Sequence, residues 1–357
     1  MRLLLLLLWS LGARCAGKLV VRRDHHHPPG KDRAHLARVI GGSDAGPSEY
    51  PFAAFLEIED GDSTAFCGGT IIHRQWILTA AHCVVKGAVG GNSLGAANRT
   101  GGGRAFAAVK AKQISVGVGS IYTQYMSRKR VSRVHVHPGL NLDYFDNDIA
   151  LLKLKRKLKF GAHVQPVHIA TTPVDDGLTV AGIGWGITSV TGSTPSGVLQ
   201  QADMRTGNED LCRRIRPRFT GNDGHYICVT TTDGRDTCSG DSGGPLLRRC
   251  NADPRLTGHA GSGPWVQLGV TSYGDSLSES TGAVCASPDG AGFYTRAAAY
   301  IDYISHTTGI SRQDLSAACN GGQLDYTGSN GAGSRSAPRA LVAVVCAALA
   351  LAAASIW

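Results

Sequence analysis

Aromatic side chains make up only 6% of the 357 residues and charged ones 18%, whereas glycine occurs 47 times. That scarcity of rings beside so much glycine argues against a helical bundle and for a turn-rich β protein, and the length allows one large or two ordinary domains. The formal charge of +9 is not spread over the chain: residues 1–38 hold eight Lys/Arg against two Asp, which leaves 28 basic against 25 acidic residues elsewhere. A remainder so close to neutral has no obvious polyanion footprint, so no nucleic-acid partner is expected. Acidic residues are missing altogether from Val118–Arg130, which ends basic.

The first apolar run, the leucines after Met1-Arg2 up to Trp9, is shorter than the about 20 residues a membrane span needs. With its basic start and the small residues that follow, it reads as a secretory signal over residues 1–17. At the other end, residues 340–357 are apolar to the last residue, behind a small, polar spacer assigned to 309–339. That order fits a glycolipid-anchor signal, with Asn330 or its neighbour Ser329 as attachment point; a tail retained as a membrane anchor is the alternative. Either places the protein in the secretory pathway, at the outer cell surface or released from it. Cys15 lies in the first segment and Cys346 in the last, so eight of ten cysteines remain between them, an even number suited to a secreted, paired framework.

Residues 18–38 are polar, basic and proline-containing, with little power to fold alone, and read as a propeptide. His25, His26 and His27 within it read as part of a solvated basic run rather than as metal ligands. From Tyr50 onward, short apolar runs alternate with Gly, Asn, Asp and Pro: 52–58, 70–78, 114–118, 131–136 and 149–154, then 178–183, 226–229, 244–247, 266–273 and 292–295. Strands of this length and spacing predict a barrel or sandwich rather than βαβ units. Ala297–Ser305 has helical apolar spacing, and 86–112 is an oversized Gly/Ala-rich loop whose Asn98-Arg99-Thr100 is a glycosylation acceptor.

The chemistry gathers in three short stretches. Asp236-Thr-Cys-Ser-Gly-Asp-Ser242-Gly-Gly-Pro245 sets a serine between glycine turns. A serine hydroxyl is a poor nucleophile at neutral pH and needs an adjacent base. Thr79-Ala-Ala-His82-Cys83 supplies an imidazole able to take a proton and return it, and Asp146-Asn-Asp148-Ile-Ala-Leu-Leu152 a carboxylate to orient it. Asp148 is selected by the apolar alternation after it, with Asp143 and Asp146 expected as solvated loop carboxylates. The chain order His, Asp, Ser separates this set from the subtilisin and α/β-hydrolase arrangements. On these motifs, and on Arg38-Val39-Ile40-Gly41-Gly42, the chain resembles the chymotrypsin/trypsin family of serine proteases over about residues 39–308.

The resemblance implies an all-β fold of two six-stranded Greek-key barrels with a C-terminal helix, and an active site between the barrels. It implies catalysis by His82, Asp148 and Ser242, with the N–H groups of Gly240 and Ser242 as oxyanion hole. Cleavage after Arg38 would free the Val39 amine to pair with Asp241. Asp236, six residues before Ser242, corresponds to the carboxylate that selects Arg or Lys, and Ser272, Gly274 and Gly292 to residues around that pocket. Tyr273 stands where the family usually has tryptophan. The implied disulfides are Cys67–Cys83, Cys212–Cys228 and Cys238–Cys285. Val180 occupies the customary partner position of another bridge, so a Cys250–Cys319 bond follows by elimination only. With no acidic group in 118–130, the calcium loop of some members is not expected, nor any other cofactor. Implied partners are protein substrates, an activating protease and protein inhibitors. A catalytically silent binding protein on this fold usually lacks a triad member, the activation site or the oxyanion glycine; this chain keeps all of them.

Overall fold

In the computed structural model, the residues described are 39–60, 63–86, 106–188, 194–231, 234–251, 262–277, 285–320 and 323–325. Arg38, the histidines at 25–27, Asn98, Asn330 and both apolar termini lie outside them. After the two-residue strand β1 (Ser43–Asp44), the first half consists of β2 (Ala53–Asp60), β3 (Ser63–His73), β4 (Trp76–Thr79), β5 (Ile114–Val118), β6 (Ser127–Val136) and β7 (Ala150–Leu154). These six close into a barrel in the order β2-β3-β4-β7-β6-β5, all pairs antiparallel. Alternation along β2 shows why it closes: Leu56 and Ile58 are sealed inside, while Glu57 between them reaches the rim and pairs with Arg128.

The apolar run 70–78 is two strands rather than one. Arg74 and Gln75 are the polar pair that could not follow the others inward, and they form the turn of the β3–β4 hairpin. Their carbonyls are not wasted there, because Leu158 and Leu154 donate their N–H groups to them.

The second half contains β8 (His168–Ala170), β9 (Thr179–Gly184), β10 (Gln200–Thr206), helix α1 (Glu209–Ile215), β11 (Tyr226–Thr230), β12 (Pro245–Asn251), β13 (Ser262–Ser276) and β14 (Gly290–Arg296). The strands run β12-β9-β10-β11-β14-β13, and β13 pairs back onto β12, so a second antiparallel six-stranded barrel closes. Strand β10 has no continuous apolar run: Gln200 and Gln201 begin it, and their buried amides find partners in Asp44, Val198 and Tyr50. Sequence pattern could not reveal it because hydrogen bonding, not hydrophobicity, makes its burial tolerable.

The helical spacing at Ala297–Ser305 becomes a 3₁₀ turn, Ala297–Tyr300, running into α2 (Ile301–Thr308), which ends at Gly309 with φ +74°. The Tyr303 hydroxyl donates to the carbonyl of His135 (3.0 Å), tying this helix to the first barrel. The fold continues beyond the boundary expected at 308. A short α3 (Arg312–Leu315) leads into β15 (Ser316–Asn320), which runs parallel to β8 and pairs with β16 (Gln323–Asp325). Leu315 and Ala317 are buried, so residues 309–320 belong to the domain rather than to a solvated spacer. A disulfide between Cys250 and Cys319 fastens β15 to β12, and the other three are Cys67–Cys83, Cys212–Cys228 and Cys238–Cys285.

Candidate active site

His82 opens a single 3₁₀ turn directly after β4, and the Cys67–Cys83 bond locks that turn onto β3. Asp148 sits just before β7, the strand paired with β4, so antiparallel pairing brings the two side chains together across 66 residues. Asp148 is wholly buried and fully engaged. Its Oδ1 accepts the backbone N–H of His82 (2.8 Å), and its Oδ2 accepts both His82 Nδ1 (2.7 Å) and the Ser272 hydroxyl (2.5 Å). With Nδ1 so occupied, Nε2 is the nitrogen left to exchange a proton.

Burial by itself would disfavour the imidazolium, but the Asp148 charge and hydrogen bond outweigh it and hold the His82 pKa above its ordinary value. Burial likewise opposes the Asp148 carboxylate, yet His82 and the hydrogen bonds from Ser272 and the backbone leave its pKa lowered. The pair is thereby poised to hold a positive charge that forms on the ring. Ser272, placed by the resemblance beside the substrate pocket, donates its hydroxyl to Asp148.

Ser242 lies at the apex of the turn entering β12. Gly68 donates its N–H to the Ser242 carbonyl (2.7 Å) and Gly243 to the Thr271 carbonyl (2.8 Å), so backbone alone fixes the apex between the two barrels. Gly243 has φ +80°, and a Cβ there would overlap the Thr79 hydroxyl and the Gly68 carbonyl, so no larger residue fits. Among the described residues neither the Gly240 nor the Ser242 N–H has an acceptor, which leaves both available to an incoming oxyanion. No hydrogen bond joins the Ser242 hydroxyl to His82 among the described residues; in proteins without substrate such bonds are often long and tighten as substrate arrives.

The cluster Cys67, His82 and Cys83 has the proximity of a metal site, but both sulfurs are spent in a disulfide and offer no thiolate.

Asp236 is buried beneath β14. One oxygen accepts the Ala286 N–H (3.0 Å), on the segment that the Cys238–Cys285 bond pins, while Oδ1 has no partner. A Cβ on Gly292 would come within 3.3 Å of that free oxygen, and Gly274 faces Gly292 across the β13–β14 ladder. Neither glycine has a side chain to cover that oxygen, and burial pushes the Asp236 pKa up to about 7. Asp241 is also sealed. It accepts N–H groups from Gly186 (2.7 Å) and Cys238 (2.9 Å), and burial pushes its pKa up to about 6. Val39 is buried with φ +53°, and Ile40 after it bridges to Asp236.

Asp143 is exposed, as expected, but Asp146 is not a solvated loop carboxylate. It accepts the Tyr226 hydroxyl (2.6 Å) and the Arg216 guanidinium (2.9 Å), and Arg216 is itself only 9% exposed. Burial is what makes this pair matter, since an isolated buried guanidinium would be costly. Arg216 lies over the Tyr226 ring (3.9 Å) and also donates to the Tyr273 hydroxyl. Tyr273 in turn stacks between Phe145 and Phe293, and Phe145 meets the His82 ring edge-on at 5.9 Å. This support beside the histidine joins Phe145 to Phe293, 148 positions apart, through Tyr273. Nothing local in the sequence marks Arg216 or Phe145.

A family model described as Trypsin matches residues 39–304. A tryptase of Mus musculus is 29% identical over 75% of this chain and 88% of its own length. Brachyurin of Leptuca pugilator is 30% identical over 76% of this chain and all of its own length. Among solved structures, neuropsin, a serine protease expressed in the limbic system of mouse brain, superposes with a TM-score of 0.55 at 25% identity, over 75% of this chain and 98% of its own.

Proposed function

Because this chain belongs to the trypsin family of serine proteases, we propose that it is an endopeptidase that cleaves after Arg or Lys and is made as an inactive precursor. The observation that carries the reading is the hydrogen-bonded sequence Ser272–Asp148–His82, with Cys83 Sγ in contact with both His82 Nε2 and the Ser242 carbonyl, and a buried Asp236 carboxylate one of whose oxygens has no partner. His82 Nε2 takes the Ser242 proton as Oγ attacks the scissile carbonyl carbon. The resulting oxyanion receives the N–H groups of Gly240 and Ser242, each such donor being worth about 3–4 kcal/mol in the transition state. The imidazolium, stabilised by Asp148, gives its proton to the leaving amine and leaves an acyl-enzyme. Water then attacks with His82 again as base, and Ser242 recovers its proton.

Cleavage after Arg38 supplies the missing charge for Asp241. A new Val39 ammonium next to that sealed carboxylate would hold it ionised and order the loop that carries Gly240. The full chain should therefore react slowly with an irreversible aryl phosphonate bearing a basic side chain, and rapidly once trypsin has cut it. Mass spectrometry should find the adduct on Ser242, and Arg38→Gln treated in the same way should stay unlabelled. Equal labelling of cut and uncut chains would reject the precursor reading, and labelling elsewhere would reject the nucleophile.

Among the described residues no helix is long and apolar enough to cross a membrane, and 340–357 lie outside them. The polar spacer and small residues around Asn330 support glycolipid attachment near Ser329–Gly331. Phosphatidylinositol-specific phospholipase C should release the protein from intact cells. Retention, with peptides from 341–357 still detected, would establish the retained tail instead.

A further inference from the structure

Strand β6 and the segment after β7 build a groove of about 720 Å³ on the first barrel. Arg130 stands on one side, and the Lys155 N–H donates to its carbonyl (2.8 Å), so the two cations emerge side by side. Arg156, Lys157 and Lys159 follow, all exposed. Among the described residues none of these five has a carboxylate within 4.0 Å, whereas Arg128 at the rim is answered by Glu57 at 2.9 Å. Nor is relief near in sequence: residues 118–142 and 149–174 contain no Asp or Glu. Like charges gathered without counter-charge raise the local potential and attract an anionic partner.

The floor has a different character. Val118 and Leu158 are buried beneath it, Val164 is half-buried, and the Tyr125 ring stands 71% exposed at its edge. A linear polysaccharide or a phosphate backbone would use the cations but gain nothing from the apolar floor, and a flat lipid surface would not enter a groove. Carboxylates alternating with an apolar side chain use both. We infer that this groove docks an acidic polypeptide segment with an apolar or aromatic anchor, and so tethers substrate proteins that carry one. The inference rests on the endopeptidase reading only for that last consequence. Seven residues separate Asp148 from Lys155 along β7, roughly 20 Å of extended chain, so the groove can be filled while the catalytic cleft is occupied.

The direct test is binding of a fluorescent twelve-residue peptide of Asp and Glu around one Phe, free of Lys and Arg, to the full chain. Binding should weaken as salt rises. It should also fall about tenfold or more when Lys155, Arg156 and Lys157 are all changed to Glu, given that each exposed pair contributes modestly. Replacing the Phe by Ser should weaken it as well. After activation, the triple variant should hydrolyse a short Arg substrate as the parent does, but lose the lower KM for the same substrate extended by the acidic peptide. Undiminished binding to the triple variant would overturn the proposal. So would indifference to the Phe, or tighter binding of heparin fragments or phosphatidylserine vesicles than of the peptide. Because the binding assay needs no turnover, it stands even if the protease reading fails.

Discussion

Ser242→Ala is expected to reduce peptide-bond hydrolysis by the activated chain at least a thousandfold, with folding unchanged. The structure shows why the two effects separate. The apex at Ser242 is held by Gly68 and Gly243 through backbone hydrogen bonds that do not involve the hydroxyl. Losing Oγ therefore removes the nucleophile without leaving a buried partner unsatisfied. Rates on an Arg peptide, together with thermal denaturation of both forms, check this. More than a thousandth of the parent rate in the variant would refute the nucleophile assignment. The His82–Asp148 pair remains in the variant, so the residual rate also reports what binding and the Gly240 and Ser242 N–H groups achieve alone.

Asp236→Ser should lower kcat/KM for Arg and Lys substrates by about a hundredfold or more, because a buried cation left unpaired typically costs 3–5 kcal/mol. Substrates with an apolar residue at that position should be affected little. The parent should also show a characteristic pH dependence. Burial has pushed the Asp236 carboxyl up to about 7, so below that pH a cation must first drive off a proton. In the Ser242→Ala background, which removes turnover, benzamidinium affinity should rise about tenfold per pH unit up to about 7 and then level off. The sign for stability is opposite. A carboxyl whose pKa is raised from 3.8 in the fold binds its proton more tightly there than in the unfolded chain. Its contribution is present at low pH and is lost as pH climbs from about 4 to about 7. Asp236→Ser should remove that part of the slope in thermal denaturation. Equal Arg activity in both forms would show that Asp236 is not the pocket floor.

How much of this was legible beforehand depends on how far each signal lies along the chain. The strands at 114–118 and 226–229 could be read because apolar residues repeat locally, and the environments of His82 and Ser242 because each motif is a few contiguous residues. Strand β10 could not be read, since its buried glutamines depend on partners elsewhere. The stretch 309–320 looked polar, and only its pairing with β8 and the Cys250–Cys319 bond make it part of the domain. Asp146 looked like a loop carboxylate until Arg216 and Tyr226, 70 and 80 residues away, were brought onto it.

The sequence by itself determined the turn-rich β class, the candidate nucleophile, base and carboxylate, and an even set of eight cysteines, because each is encoded in neighbouring residues or in simple counts. Tertiary structure alone decided that one Asp236 oxygen is buried without a partner and that the Ser272 hydroxyl is brought onto Asp148. It also decided how the charge is displayed. A net balance near neutral over residues 39–357 suggested no polyanion surface, yet the β6–β7 pairing concentrates unanswered lysines and arginines on one face. Net charge is a sum over the chain and carries no positions, whereas the potential felt by a partner depends on which charges the barrel sets side by side.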